Sequence, residues 1–220
     1  MPNCYLCGAT ARTADHVPPR GLFDVVPQNI ITVPACFACN SSFAIDEEYF
    51  RTTVAALAYA NSNTARRVWD GAVNRSFRRR PRGLRKRLAT SLVPVQIQNE
   101  MGQVVGQAPG LEVEGGRVGL IVRKIIKGIF YAQRGGRLAD ADLIIFRDGD
   151  VPFNMEETTR GMDETNMGEV FRFRSQYSET GGGIWIQFYR SQWWFSLTGD
   201  LARNYQIPAN KGSGAGGVHL

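Results

Sequence analysis

Apolar and polar positions change their period several times along this chain. TADHV leads into Pro18-Pro19, and because a proline pair cannot continue a helix the segment is expected to be extended. In PQNIITVPAC, residues Ile30, Ile31 and Val33 favour a second strand. From FACNSS to AALAYA the texture becomes helical, with Phe37, Phe43, Tyr49, Phe50 and Leu57 among helix-compatible neighbours. The predicted order is strand, loop, strand, helix, followed over 61–91 by an Arg-rich helical segment. PVQIQNEMGQVVGQAPGLEVE then reads as paired strands. GRVGLIVRKIIKGIFYAQRGG sets Val118, Ile121, Val122, Ile125, Ile126 and Ile129 on one face of a helix closed by Gly135-Gly136. LIIFR, VFRFRS, IWIQFY and WWFSLT read as short strands between Gly- and Asp-rich turns, with Trp185, Trp193, Trp194 and Phe195 as sheet core. The fold class is α+β with antiparallel short strands. The expected segments are 1–60, 61–91, an α+β domain over 92–208 and a flexible tail over 209–220 that contains His219. No internal repeat is visible.

Composition narrows this picture. A chain of 220 residues with 43% apolar content can bury a real core in one or two domains. The start lacks a charged residue followed by an apolar run, and no stretch reaches the roughly 18 apolar residues of a membrane helix, so a cytoplasmic protein without membrane contact is expected. The net charge of +6 is unevenly spread. Positions 66–87 hold nine Arg and one Lys against Asp70, a local +9 that leaves the rest of the chain at −3. Arg66, Arg67, Arg75, Arg78, Arg79, Arg80, Arg82, Arg85, Lys86 and Arg87 are therefore candidates for phosphate contact, salt-sensitive and largely blind to sequence. A solvated basic loop is the plainer alternative. Trp69 and Phe77 could stack on bases, although packing is their commoner use. GGG at 181–183 lacks the Lys-Ser/Thr that a nucleotide-binding loop needs.

All four cysteines lie in the first 39 residues, as Cys4-x-x-Cys7 and Cys36-x-x-Cys39. Each pair supplies two thiolates from one turn, and four thiolates suit a tetrahedral structural Zn2+. Two disulfides are the competing reading, disfavoured by the long cysteine-free remainder. Zinc would clamp the turn before the first strand to the start of the helix.

The pattern C-x-x-C, DHVPP, QNI, C-x-x-CN resembles the HNH endonucleases, the ββα-metal nucleases. The resemblance covers residues 4 to about 50. It implies an N-terminal zinc-stabilised ββα module in which His16 is the general base, Asp15 and Asn40 hold a catalytic Mg2+ or Mn2+, and Asn29 steadies the loop carrying the histidine. Asn40 stands where many members carry a final histidine, making this an H-N-N version. The residue chemistry agrees. Imidazole is the natural base near neutral pH, and carboxylate and amide oxygens suit a hard cation. Neighbours on a flat strand point to opposite faces, so Asp15 and His16 can share one site only through a bend or bulge. Asp46, Glu47 and Glu48 could add a metal ligand or simply be solvated, and Arg20 could touch a phosphate.

Three function classes follow. The first is a metal-dependent endonuclease acting on double-stranded DNA, with roles in defence against phage or in mobile elements implied by the family's habits. The second is a catalytically silent nucleic-acid-binding module. The third is a subunit that acts only when a partner protein or small-molecule signal engages the C-terminal half, which is also where a homodimer contact or regulatory partner is expected.

Overall fold

Two short strands, β1 (Thr13–Val17) and β2 (Ile31–Ala35), pair antiparallel from Thr13 opposite Ala35 to Val17 opposite Ile31. The computed structural model describes residues 1–79, 83, 86, 90–99, 101–151 and 154–205. The pairing of β1 with β2 runs through Asp15 and His16 in unbroken register, so the bulge that would bring both side chains to one face is not there. The helix expected after β2 is divided at Phe43 into α1 (Phe37–Ser42) and α2 (Ala44–Ala58). The basic segment begins with α3 (Asn63–Val68), a π turn at Trp69–Val73 and α4 (Asn74–Arg79).

The second half opens with the exposed hairpin of β3 (Leu92–Gln98) and β4 (Val104–Leu111). The long helix α5 (Gly115–Arg134) follows, and all six of its expected core residues are buried. Gly135 ends it at φ 71°, a left-handed conformation that glycine adopts without steric cost. Then come β5 (Leu143–Arg147), α6 (Met155–Thr159), β6 (Asp163–Met167), β7 (Phe171–Tyr177), β8 (Gly181–Phe188), β9 (Gln192–Gly199) and α7 (Asp200–Arg203). Strands β5 to β9 form one antiparallel sheet in the order β5-β9-β8-β7-β6, which makes the fold α+β. Trp185, Trp194 and Phe195 are buried in that sheet, and Trp193 is half-buried. The GGG stretch opens β8, where a Cβ on Gly182 would come within 2.5 Å of the Gln176 carbonyl oxygen.

One apolar cluster joins the two halves: Val17, Val33 and Phe50 from the first, Ile121, Ile125 and Ile129 from α5, and Phe171, Ile186 and Phe188 from the sheet. Phe50 meets Phe188 edge-on with ring centroids 5.2 Å apart. Each such side chain contributes about 1.5–3 kcal/mol by leaving water, so β1, β2 and α2 are held largely by what the second half offers them. Polar ties cross the same seam. The Tyr189 hydroxyl donates to the Leu22 carbonyl at 2.7 Å, and the Thr64 hydroxyl to the Glu169 carboxylate at 2.8 Å.

The closest approach of α5 to β1 is at Gly128, where an added Cβ would lie 2.4 Å from Val17 Cγ2. Helical residues four apart and strand residues two apart each share a face. The Gly128–Val17 contact therefore sets Lys124, one turn back, over Asp15. Gly128→Ala should destabilise the protein by up to about 2 kcal/mol in urea unfolding, because overpacking of about 1–3 kcal/mol is only partly offset by the gain in helix propensity of about 1 kcal/mol. Adding Val17→Ala should cost less than the two single changes summed. A Gly128→Ala protein more stable than wild type would contradict this contact.

Candidate metal centre and the site around His16

Cys4 and Cys7 flank a tight turn in which the Gly8 N–H donates to the Cys4 carbonyl at 2.9 Å. Cys36 precedes α1, and its sulfur accepts the Cys39 N–H at 3.4 Å. The two turns face each other, and all four Sγ atoms lie within 4.8 Å of one another. Cys7 and Cys36 are 3.6 Å apart. Tetrahedral thiolates about 2.3 Å from a zinc ion are separated by roughly 3.8 Å, so the spacing fits the ion. The four cysteines are free thiols in this arrangement, with no bridge between them. Burial pushes the Cys4 thiol up, but N–H donors from Cys7, Cys36 and Leu6 outweigh it and hold the group at about 6. Cys39 is raised by burial and by the neighbouring sulfurs. A cation is what allows all four to ionise together. Among the described residues no other cluster of His, Cys, Asp or Glu has this geometry.

Asp15 turns to the buried face of β1. Its Oδ1 accepts the His16 backbone N–H at 2.9 Å, and its Oδ2 accepts the Tyr5 phenol at 2.8 Å. The same Oδ2 lies 2.8 Å from Lys124 Nζ, with the two side chains only 7% and 2% exposed. Lys124 also pairs with Glu47, whose carboxyl is raised by burial against the opposing pull of that ammonium. Burial, with the Asp15 charge added to it, raises the Tyr5 phenol and keeps it a donor. Both oxygens of Asp15 are thus engaged, and a fixed ammonium stands where a hard cation would have to approach at about 2.1 Å. With Lys124 there, Asp15 does not fit Mg2+ or Mn2+.

His16 lies on the opposite face of β1 and is half-buried. Desolvation lowers its pKa from the ordinary value, the charges of Arg20 and Lys124 add to this, and Asp15 opposes it, so the imidazole is neutral near pH 7. Arg20 is exposed on the 3-10 turn Arg20–Leu22 that follows the two prolines. Asn40 sits in α1, its amide donating to Thr13 Oγ1 at 3.2 Å and to the Ala14 carbonyl at 3.4 Å, which ties the helix to the strand. Asn29 points elsewhere: its amide donates to the Asn166 carbonyl at 2.9 Å and joins the β1–β2 loop to β6. The four residues that the motif groups are therefore distributed over both faces of β1, the helix start and the seam with the sheet.

The basic segment is divided in its uses. Arg66 donates to the Tyr59 and Ala60 carbonyls beyond the end of α2, and Arg67 pairs with Asp24 and Thr64. Arg75, Arg78 and Lys86 are exposed, and Arg79 closes α4. Arg80, Arg82, Arg85 and Arg87, like the tail 209–220, lie outside the described residues. Trp69 and Phe77 meet edge-on at 5.9 Å over Ala55, Val68 and Val73, so they pack rather than present free faces. A cleft of about 490 Å³ runs between the turn after β1, α2 and α4, lined by Gly21, Glu47, Glu48, Arg51, Arg75 and Ser76 among others. Arg51 Nε is buried there without a hydrogen-bond partner. Glu48 is not simply solvated, since it accepts from the Ser76 hydroxyl.

Lys124 and Tyr5 are the residues that sequence reasoning missed. One signal for Lys124 was present: it interrupts the apolar face of α5 between Ile121 and Ile125, and a lysine there must have a partner.

The purified protein should contain about one zinc per chain by elemental analysis. Cys39→Ser should abolish metal retention and lower the melting temperature, whereas a variant that keeps both would remove Cys39 from the centre. No helix among the described residues is long and apolar enough to cross a membrane. No family model, no curated protein and no solved structure matches this chain.

Proposed function

We propose that this chain is an HNH-type nuclease module that hydrolyses phosphodiester bonds in DNA, with His16 as the general base. The observation that carries the reading is the strand-strand-helix unit with its four-cysteine cluster, which leaves a neutral, partly exposed imidazole beside a guanidinium. In this reading the imidazole takes a proton from water as its oxygen attacks phosphorus, the bond from phosphorus to the leaving sugar oxygen breaks, and that oxygen takes a proton from solvent water. Arg20 offers two parallel N–H donors to the phosphate oxygens as their charge grows. Arg75, Arg78 and Lys86 supply sequence-blind attraction for the DNA backbone. A zinc ion on the four cysteines would hold the turn and the helix start in register and take no part in the chemistry. No step is assigned to a hard cation on Asp15 and Asn40.

A second reading, a DNA-binding module without catalysis, is favoured by the ammonium of Lys124 on Asp15. Incubation of supercoiled plasmid with zinc-loaded wild type and His16→Ala, in Mg2+, Mn2+ or brief EDTA, separates the two. Nicking by wild type that drops at least 100-fold in His16→Ala supports the nuclease. Binding at low salt without cutting by either protein transfers the assignment to the binding module, and neither binding nor cutting removes both.

A further inference from the structure

We infer that Lys124 is the resident cation of the ββα unit, its ammonium lying between the Asp15 and Glu47 carboxylates and taking up the Asp15 charge that would otherwise serve a divalent ion. Asp15 is then a structural anion and not a metal ligand. The inference stands on the ion-pair geometry and does not depend on the nuclease reading.

Three observations carry it. First, the carboxylate is saturated, since Oδ1 holds the His16 N–H while Oδ2 holds both the Tyr5 phenol and Lys124 Nζ. A divalent ion bound there would lose at least one of these partners and sit against a positive charge that is 2% exposed and shielded from screening water. Second, Lys124 bridges two carboxylates of different elements, Asp15 on β1 and Glu47 on α2, which is the arrangement in which a metal commonly serves as a cross-link. Third, the ammonium is not on a movable arm. Ile121 and Ile125 flank it with 0% and 1% exposure, and Gly128 lies against Val17 one turn further on. Withdrawing Lys124 would unpack α5 from β1. A lysine also carries its charge into the site with the chain, whereas Mg2+ would first have to shed tightly held water.

The test measures Mn2+ on zinc-loaded protein by electron paramagnetic resonance and by thermal melting, with Asp15→Asn and Lys124→Met as variants. Wild type is expected to bind no Mn2+ that Asp15→Asn removes, and its melting temperature is expected to be indifferent to the ion. Lys124→Met, which keeps the length and loses the charge, is expected to melt lower than wild type and to gain one Mn2+ site. Saturating Mn2+ should then raise the melting temperature of that variant by about 5 °C. An Asp15-dependent Mn2+ site in wild type overturns the inference, and so does a folded Lys124→Met protein that Mn2+ fails to stabilise. Should that variant not fold, the wild-type and Asp15→Asn comparison still decides.

Discussion

A carboxylate placed on the inner face of β1 constrains much of this molecule. Asp15 is 5% exposed, and an ionised carboxyl so far from water is tolerated only with partners. It has three, and the charged one arrives from α5, more than a hundred residues along the chain. Removing one member of such a buried pair typically costs about 3–5 kcal/mol, because the other is left charged and unpaired. That asymmetry binds the register of α5 to the register of β1. The same helix carries the isoleucines of the shared core, so electrostatics and burial select a single docking of the second half on the first.

The ββα unit is therefore fastened at two ends by different means. At its outer end the cysteine turns gather four sulfurs within 4.8 Å, a local clamp that a metal ion would complete. At its inner end it has little apolar surface of its own: from β1, β2 and α2 the principal core members are Val17, Val33, Tyr49, Phe50 and Val54. About sixty residues bury too small a fraction of their surface to be secure alone. Packing on α5 and on Phe188 and Trp194 of the sheet makes up the difference. The loops observe the same logic, with Asn29, Tyr189 and Thr64 each spending a hydrogen bond across the seam.

How much of this was legible depended on the range of the interaction. The cysteine spacing announced the cluster because each Cys-x-x-Cys turn is a local unit, and the period of α5 announced its buried face because helical geometry is local too. The strand β6 was not legible: DETNM has no apolar alternation, and it is a strand because β7 supplies its hydrogen bonds. The break at Phe43 within the expected helix was equally hidden. Arg66 and Arg67 looked like phosphate ligands in a basic run, yet each has local work, on the end of α2 and on Asp24. For the candidate site, Asp15 and His16 could be named from the motif, and the alternation rule correctly warned that they diverge. What the rule could not disclose was that Asp15 would take a lysine from another part of the fold.

That pairing changes what the motif can mean. In a metal-dependent site an aspartate beside the base matters because it holds a cation near the scissile phosphate, where the charge can respond to the reaction. Here the cation is covalently part of the chain, 2% exposed and shared with Glu47. It can organise the site but cannot reach a substrate. Stabilisation of a phosphorane would then fall to groups on the open face of β1 and the turn after it, where His16 and Arg20 lie. A unit built this way gives up the strongest electrostatic contribution a divalent ion makes to phosphoryl chemistry and gains a junction that does not depend on ion concentration. On the proposed nuclease reading, the chemistry then rests on the imidazole and guanidinium alone, and whether they suffice separates that reading from a binding module without catalysis.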